Sequence, residues 1–233
     1  MDSAYETGDL SKVKEYIENG DENLKLVMSR KNNSLISASL NGNIEVVKYL
    51  VEQGGADIEA RGECGETPLI FASLDGNIEV VKYLVKKGAD IKARDKDKNT
   101  PLIFASVWGY FELVKYLIEQ GADIETRSSD GDTSLICASL NGHLEVVKYL
   151  VEQGGANVEA RDNYGNTPLI SASMGEHIEV VKYLIKQGAD FKTCDNKGRS
   201  FTDFLMEDQQ EEIKGIIEDL QKRRAMIKPC RSD

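Results

Sequence analysis

The amino-acid sequence predicts an all-α solenoid of stacked helix pairs, and three observations support this prediction. First, an apolar phrase recurs along the chain, and its anchoring leucines are 33 or 34 residues apart. Second, each phrase is followed by a glycine and then by an amphipathic stretch of helical periodicity. Third, both 34-residue steps contain a doubled glycine, so the underlying period is 33 residues. The anchoring leucines are Leu35, Leu69, Leu102, Leu135 and Leu169.

The first helix of each period has a recognisable start. Threonine can cap a helix N-terminus, and proline suits the first helical position because no hydrogen bond is lost there. A short apolar helix follows, and a glycine ends it. The Thr-Pro starts are Thr67-Pro68, Thr100-Pro101 and Thr167-Pro168. The glycines after this helix are Gly42, Gly76, Gly109 and Gly142.

The second helix is amphipathic. In residues 44–51, the side chains of Ile44, Val47, Leu50 and Val51 fall on one helical stripe. A glutamate and a lysine three positions apart are predicted to pair on the outer face. A glycine in a left-handed conformation is expected to end this helix, before a short extended segment and a polar turn. These glycines are Gly54, Gly88, Gly121, Gly154 and Gly188.

The phrase Thr-Pro-Leu-Ile-x-Ala-Ser-x-x-Gly-x-x-Glu-Val-Val-Lys-Tyr-Leu-Val-x-x-Gly-Ala-Asp resembles the ankyrin repeat. The resemblance covers at least residues 33–198 and implies an ankyrin-repeat solenoid, in which helix-turn-helix pairs are joined by β-turn fingers. The chain departs from the family where isoleucine replaces the structural histidine that usually follows Thr-Pro-Leu. The polar network between repeats is therefore expected to differ. The isoleucines are Ile36, Ile70, Ile103, Ile136 and Ile170.

We expect five repeats between two capping repeats. Residues 1–32 are predicted to form the N-terminal cap. Residues 195–224 are predicted to form the C-terminal cap, in which a Ser-Phe-Thr phrase replaces Thr-Pro-Leu. Terminal repeats need one polar face, because nothing stacks beyond them. Residues 225–233 are expected to be a flexible tail. The five repeats are placed at about 33–61, 62–94, 95–127, 128–161 and 162–194.

Composition excludes several function classes. Lysine and arginine number 29 against 40 aspartates and glutamates, and the net charge of −11 disfavours nucleic acid and anionic membranes as partners. No apolar run approaches the roughly 20 residues that span a bilayer, so membrane insertion is not expected. The chain start lacks the features of a signal peptide, and the four cysteines form no CxxC pair. We expect a monomer in the cytoplasm, with the nucleus as an alternative, and not a secreted protein.

The sequence contains no convergent set of catalytic groups. Its two histidines, His143 and His177, share one repeat position just before the second helix, where the family commonly has histidine, and a structural role is expected for both. Metal-ligand spacing, phosphate loops and nucleophile elbows are not found. We therefore expect no enzyme activity, no metal and no cofactor. A tyrosine column on the second helix is expected to pack between repeats: Tyr49, Tyr83, Tyr116, Tyr149 and Tyr183.

The resemblance implies that the turns and first helices line a concave groove, where positions that vary between repeats are binding candidates. Trp108 is the only tryptophan and stands at a first-helix end, Tyr110 follows closely, and Tyr164 is predicted at a turn tip. Tryptophan and tyrosine are common interface hot spots, although each of these residues has repeat packing as its alternative. Three other aromatic residues that break the repeat pattern are expected in the core: Phe71, Phe104 and Phe111.

Four arginines recur just before the turns and are predicted to form a ladder along one groove edge. Two interpretations remain open. Each arginine pairs with a nearby acid such as Asp95 or Asp162, or the arginines form a basic strip that selects an acidic partner. The residues just before the threonine phrase, Glu66, Asn99 and Asp132, are further candidates, although acidic side chains in the turns dilute any basic field. The arginines are Arg61, Arg94, Arg127 and Arg161.

The function that these patterns favour is a protein–protein interaction module or adaptor, with a protein or peptide bound in the groove. The alternative is a structural spacer without a groove ligand, and the cluster of Trp108 and Tyr110 disfavours it. An apolar column near the first-helix ends is either packing between repeats or the floor of the groove. It comprises Leu40, Leu74, Val107, Leu140 and Met174.

Overall fold

A computed structural model describes residues 9–18 and 24–227, with the side chains of residues 9–15 and 31–223. Parts of the predicted N-terminal cap and most of the predicted tail lie outside the described residues. The chain divides into two compact units, residues 1–129 and 130–233.

The first unit contains seven α-helices within its described residues. First helices of successive repeats pack side by side, and each packs against the second helix of its own repeat. These helices are α1 (Leu10–Glu18), α2 (Leu24–Leu40), α3 (Ile44–Tyr49), α4 (Pro68–Leu74), α5 (Ile78–Lys86), α6 (Pro101–Val107) and α7 (Phe111–Glu119).

The second unit repeats this arrangement and ends in a longer helix that packs on α11. Its helices are α8 (Ser134–Leu140), α9 (Leu144–Glu152), α10 (Pro168–Met174), α11 (Ile178–Lys186), a 3₁₀ helix (Phe201–Phe204) and α12 (Glu207–Ile227). The described parts of both units contain no β-strand, and Cys194 and Ser200 form an isolated bridge. The predicted all-α repeat solenoid is confirmed.

The first helices begin as their sequence predicts. The Oγ1 atom of Thr67 accepts a hydrogen bond from the backbone N–H of Ile70 over 3.3 Å, and α6 and α10 have the same cap. Helix α8 is also capped in this way by Thr133, although serine stands where the other helices have proline. The threonine is therefore the shared start signal, because it satisfies a backbone donor that the helix itself cannot.

The second helices bury a wider face than the predicted stripe. Val47 and Leu50 are buried as predicted, but Val46 is buried as well, and Ile44 and Val51 are only partly buried. The reason is that α3 packs against both α2 and α5, so two sides of the helix are removed from water. The residues equivalent to Val46 are also buried: Val80, Leu113, Val146 and Val180.

The outer faces carry the predicted glutamate–lysine pairs. Glu45 Oε1 lies 2.7 Å from Lys48 Nζ, and the same spacing in α5 and α11 gives ion pairs of 3.2 and 2.8 Å. Exposed pairs of this kind contribute little, about 0.2–0.5 kcal/mol each, so burial of the opposite face is the main source of helix stability.

The doubled glycines correct the prediction about helix ends. In a repeat with one glycine, the predicted residue is left-handed, as at Gly88 with φ of +94°. In the doubled pairs the second glycine takes this conformation, at Gly55 (φ +66°) and Gly155 (φ +69°). Gly54 and Gly154 do not take it, because each lies one position before the left-handed residue, within the lengthened end of the helix.

The insertion leaves the closing hydrogen bond of the helix unchanged. The N–H of Ala56 donates to the carbonyl of Leu50 over 3.0 Å, as the N–H of Ala89 does to Leu84 over 3.0 Å with one residue fewer between them. The longer connection takes the form of a π-helical turn over Leu50–Gly54. The 34-residue repeats therefore end their second helix with the same hydrogen bond as the 33-residue repeats.

The two ends depart from the regular repeat. Helix α2 crosses the position where the first repeat was expected to begin, since Asn33-Ser34 replaces the Thr-Pro start. At the other end, Asp203 Oδ2 accepts from the backbone N–H of Ser200 over 2.6 Å, and Phe201 is buried. Helix α12 continues to Ile227, into the predicted tail. The proposed repeat boundaries remain predictions.

The aromatic residues expected in the core are not fully buried. Phe71, Phe104 and Phe111 are each partly exposed, and most of the core consists of the aliphatic residues of the helix pairs. The isoleucines at the family's histidine position contribute to it, with Ile70 and Ile136 at most 1% exposed. Phe71 lies instead against the finger of its repeat, the turn that contains Gly62, since a Cβ atom on Gly62 would come within 3.0 Å of its ring.

Candidate protein-binding surface

Two fingers are braced by an aspartate that binds the residue four positions later. Asp95 Oδ1 accepts from the backbone N–H of Asn99 over 2.7 Å, and its Oδ2 accepts from Asn99 Nδ2 over 3.1 Å. Asp162 holds Asn166 in the same way, with both distances at 2.7 Å. The side-chain amide of the candidate Asn99 therefore supports its own finger.

A third finger uses an ion pair for the same purpose. Asp195 is buried, and its Oδ2 lies 2.7 Å from Arg199 Nη2. The Arg199 guanidinium also stacks 4.8 Å from the ring centre of Phe204. Burial acts to raise the pKa of Asp195, but hydrogen bonds from the backbone and guanidinium of Arg199 and from the backbone N–H of Lys197 outweigh it, so the pKa is lowered. The charge of Arg199 is thus directed into the finger.

The candidates Glu66 and Asp132 occupy the position of Asn99 in their own repeats. Glu66 Oε2 accepts from the backbone N–H of Cys64 over 3.0 Å, because glycine replaces the bracing aspartate at position 62. Asp132 is partly buried, and this burial, together with the carboxylates of Asp162 and Asp130, raises its pKa to about 6. The carboxyl group of Asp132 therefore titrates at a higher pH than that of an ordinary aspartate.

The arginine ladder binds main-chain carbonyls one repeat ahead. Arg61 Nη1 donates to the carbonyl oxygens of Gly65 and Arg94 over 2.7 and 2.6 Å. Arg94 donates from Nε to the carbonyl of Lys98 over 3.1 Å, and from Nη2 to the carbonyl of Arg127. The expectation that Asp95 pairs with Arg94 is therefore replaced by carbonyl contacts.

The same contact recurs in the second unit. Arg161 Nη2 donates to the carbonyl of Cys194 over 2.6 Å, 33 residues further along the chain. The repeated register follows from the repeat itself, because each arginine meets the equivalent main-chain position of the next finger. These arginines connect neighbouring fingers within each unit.

Two candidate aromatic residues are exposed at variable repeat positions. Trp108 follows α6 and is 56% exposed, and Tyr164 lies in a finger of the second unit and is 61% exposed. When a partner covers a large aromatic side chain, apolar surface is removed from water and the free energy of binding becomes more favourable. The exposed surfaces of Trp108 and Tyr164 are therefore available for such a contact. Neither residue contributes to the buried core.

Tyr110 has a different environment. It precedes α7 at the position that Asn77 occupies before α5, and a Cβ atom on Gly76 would lie 2.8 Å from its ring. Asn77 Nδ2 donates to the carbonyl of Leu40 over 2.6 Å from the equivalent place. In the first unit this position therefore joins a repeat to the one before it.

The histidines stand at this same position in the second unit, directly before α9 and α11, as predicted. A Cβ atom on Gly142 would lie 2.3 Å from Nδ1 of His177. The His177 imidazole thus lies where a side chain on Gly142 would be, and this contact links neighbouring repeats.

The apolar column near the first-helix ends is partly open to solvent. Leu140 is 42% exposed and Met174 is 41% exposed, and the three members in the first unit are partly buried.

Two members of the tyrosine column bind a glutamate of the preceding repeat. The Tyr83 and Tyr183 hydroxyls donate to Glu52 and Glu152 over 3.1 and 3.0 Å. Burial and the Glu52 contact raise the pKa of Tyr83 to about 12.

A cavity of about 280 Å³ opens in the second unit, between two fingers and the end of α10. Sequence reasoning singled out Tyr164 as a candidate and Met174 as part of the apolar column, but missed the remaining lining. Its members carry no unusual motif, and only their places in adjacent fingers bring them together. The cavity is lined by Tyr164, Asn166, Met174, Asp195, Asn196, Lys197 and Arg199.

No chemistry-bearing cluster accompanies these surfaces in the part of the chain that the structure describes. That part contains no group of three or more metal-ligating side chains. Burial, together with the Asp132 charge, raises the pKa of the Cys137 thiol to about 12, so it is a poor nucleophile at neutral pH. None of the described helices is long and apolar enough to cross a bilayer.

Stacked helix pairs with braced fingers define a repeat protein of the solenoid class, in which each repeat contacts its neighbours. A model of the family described as ankyrin repeats, in three copies, matches residues 1–95, 56–128 and 102–195. The chain therefore belongs to the ankyrin repeat family, whose members are generally protein–protein interaction modules and typically not enzymes. No curated protein matches the chain.

Proposed function

We propose that this chain is an adaptor that binds another protein or a peptide through its fingers and first helices. The observation that carries the proposal is the exposure of Trp108 and Tyr164 at positions that vary from repeat to repeat. The positions equivalent to Trp108 hold Asn41, Asp75, Asn141 and Gly175, so the repeat folds without an aromatic residue there. Exposed aromatic residues of this kind are enriched among binding hot spots.

The proposal is tested by partner capture from the native cell lysate. Replacing Trp108 and Tyr164 together by alanine is expected to weaken capture, since each hot spot contributes on the order of 2 kcal/mol to binding. The melting transition is expected to change little, because both side chains are exposed. Met206→Ala is the matched control, as Met206 is 60% exposed but lies outside the fingers and first helices.

The alternative function is a structural spacer without a groove ligand. It predicts that capture is the same for the wild-type chain, the double variant and Met206→Ala. A large fall in the melting temperature of the double variant would instead assign Trp108 and Tyr164 to packing. Either result contradicts the adaptor proposal.

The other candidates are proposed to support this surface rather than to dominate it. The carbonyl contacts of Arg61, Arg94 and Arg161 favour a role in holding the fingers, with recognition of an acidic partner as the second interpretation. Tyr110 contacts Gly76, which favours packing. Tyr110→Ala is therefore expected to lower the melting temperature, while loss of capture without destabilisation would make it a binding residue.

We further propose that the chain acts as a monomer in a reducing compartment, the cytoplasm or the nucleus. The three cysteines among the described residues, Cys64, Cys137 and Cys194, are free thiols, and Cys64 is exposed. Exposed thiols persist where glutathione keeps them reduced. Light scattering of the purified chain with and without reductant tests the oligomeric state, and imaging of the tagged chain tests its location.

A further inference from the structure

The cavity beside Tyr164 has the size of a subsite for one side chain. Its volume of about 280 Å³ lies below the roughly 300–1,000 Å³ of pockets that enclose whole small ligands. Its lining is largely apolar, and both Tyr164 and Met174 remain substantially exposed there. An apolar or aromatic side chain that enters from a bound peptide would remove these surfaces from water.

The charges of the lining indicate the sign of the neighbouring residue on that peptide. Asp195 and Arg199 form an ion pair of 2.7 Å and neutralise each other. Among the described residues that line the cavity, this leaves the exposed ammonium group of Lys197 as the one charge outside an ion pair. A carboxylate beside the anchoring side chain would complement it, and a lysine or arginine anchor would be repelled.

From these two observations we infer that the cavity between Tyr164, Met174 and Lys197 is the anchor subsite for a large apolar side chain that stands beside an acidic residue of the partner peptide. This inference rests on the proposed function, since it names the segment that the adaptor binds. It concerns the second unit alone and is independent of Trp108.

The test begins with a random dodecamer peptide library displayed on phage and selected against the full chain. The selected peptides are expected to share a large apolar residue next to aspartate or glutamate. The strongest is then synthesised, and its affinity for chain variants is measured by fluorescence polarisation. Replacing that apolar residue of the peptide by alanine is expected to weaken binding several-fold, because less apolar surface is removed from water.

The variant Met174→Arg is expected to reduce affinity by about tenfold or more, since it places a charge in the cavity. Met206→Arg is the matched control, because Met206 is 60% exposed and lies outside the fingers and first helices. Tyr164→Ala gives a second variant at an exposed position, and thermal unfolding of each variant checks folding. Lys197→Glu is expected to remove the preference for the acidic neighbour.

Equal affinity for Met174→Arg, Tyr164→Ala and the Met206→Arg control would overturn the subsite, as would equal binding of the peptide whose apolar anchor is replaced by alanine. The proposed function would then remain, because peptides are still bound. Selection of no peptide at all would also overturn the subsite, while the adaptor proposal is decided separately by the effect of Trp108→Ala on partner capture.

Discussion

Arg61 Nη1 donates to the carbonyl oxygen of Arg94 over 2.6 Å, which connects one finger to the equivalent point of the next. The side chain of Arg94 makes the equivalent contacts with the carbonyl oxygens of Lys98 and Arg127. Replacing Arg94 by alanine removes these contacts and is expected to destabilise the chain by about 1–2 kcal/mol. Lysine is expected to rescue little, because its single ammonium group cannot reproduce the planar arrangement of donors. Urea unfolding measures the change.

Lys92→Ala is the control for this arginine variant, since Lys92 is exposed and its side chain lies outside the carbonyl contacts of Arg94. Its effect is expected to stay within about 0.5 kcal/mol. If Arg94→Ala were as stable as Lys92→Ala but weakened partner capture, the arginines would belong to the binding surface.

Glu176 adopts a left-handed conformation with φ of +60°, at the place where Gly142 has φ of +75°. Residues with a Cβ atom are strained there, by about 1 kcal/mol, so Glu176→Gly is expected to stabilise the chain by about 0.5–1 kcal/mol. The reverse change, Gly142→Ala, is expected to destabilise, because the new Cβ atom meets the His177 ring at 2.3 Å. Thermal unfolding of both variants gives the signs, and equal signs would contradict the argument.

The sequence pattern was sufficient to predict the features that depend on residues close together in the chain. The threonine caps and the pairs such as Glu45–Lys48 were predictable, because donor and acceptor are three residues apart on one helix. The partner of Arg61 was not, because a main-chain carbonyl 33 residues away has no side-chain signature. Sequence proximity favoured adjacent acids instead.

The candidate site shows the same division. Tyr164 was recognisable as a residue that breaks the repeat, and its exposure of 61% agrees with a turn tip. The cavity beside it was not predictable, since it depends on how close the fingers of Asn166 and Lys197 come to the end of α10. Which of two glycines becomes left-handed, as at Gly155, likewise depends on where the helix turn closes.

Deleting Gly155 should be tolerated. The N–H of Ala156 reaches the carbonyl of Leu150 over 2.9 Å, and in the next repeat Ala189 makes the same bond to Leu184 over 3.0 Å with one residue fewer. Shortening the connection is therefore expected to change the free energy of unfolding by less than about 0.5 kcal/mol.

Deletion of Gly188 is the contrasting variant, since it would force a residue with a side chain into the left-handed position, where Gly188 has φ of +96°. A loss of about 1 kcal/mol or more is expected. Urea unfolding of both deletions separates the cases, and a large loss from the Gly155 deletion would show that the insertion has become part of the packing.

Asp132 provides a prediction with a defined pH dependence. Burial and the carboxylates of Asp162 and Asp130 raise its pKa to about 6 in the folded chain, from an ordinary value of 3.8. The folded state therefore binds the proton more tightly than the unfolded state, and the wild-type chain loses stability as the pH rises from about 4 to about 6.

Asp132→Asn removes this titration while keeping the shape of the side chain. The variant is expected to match the wild-type chain near about pH 4 and to exceed it by roughly 1 kcal/mol at about pH 7, a value reduced for solvent screening of a partly exposed group. Urea unfolding at several pH values measures the difference, with Asp97→Asn as the control at an exposed finger position. A difference that is constant with pH would contradict the assignment, because only a carboxyl group with a raised pKa makes the gain appear between these two values.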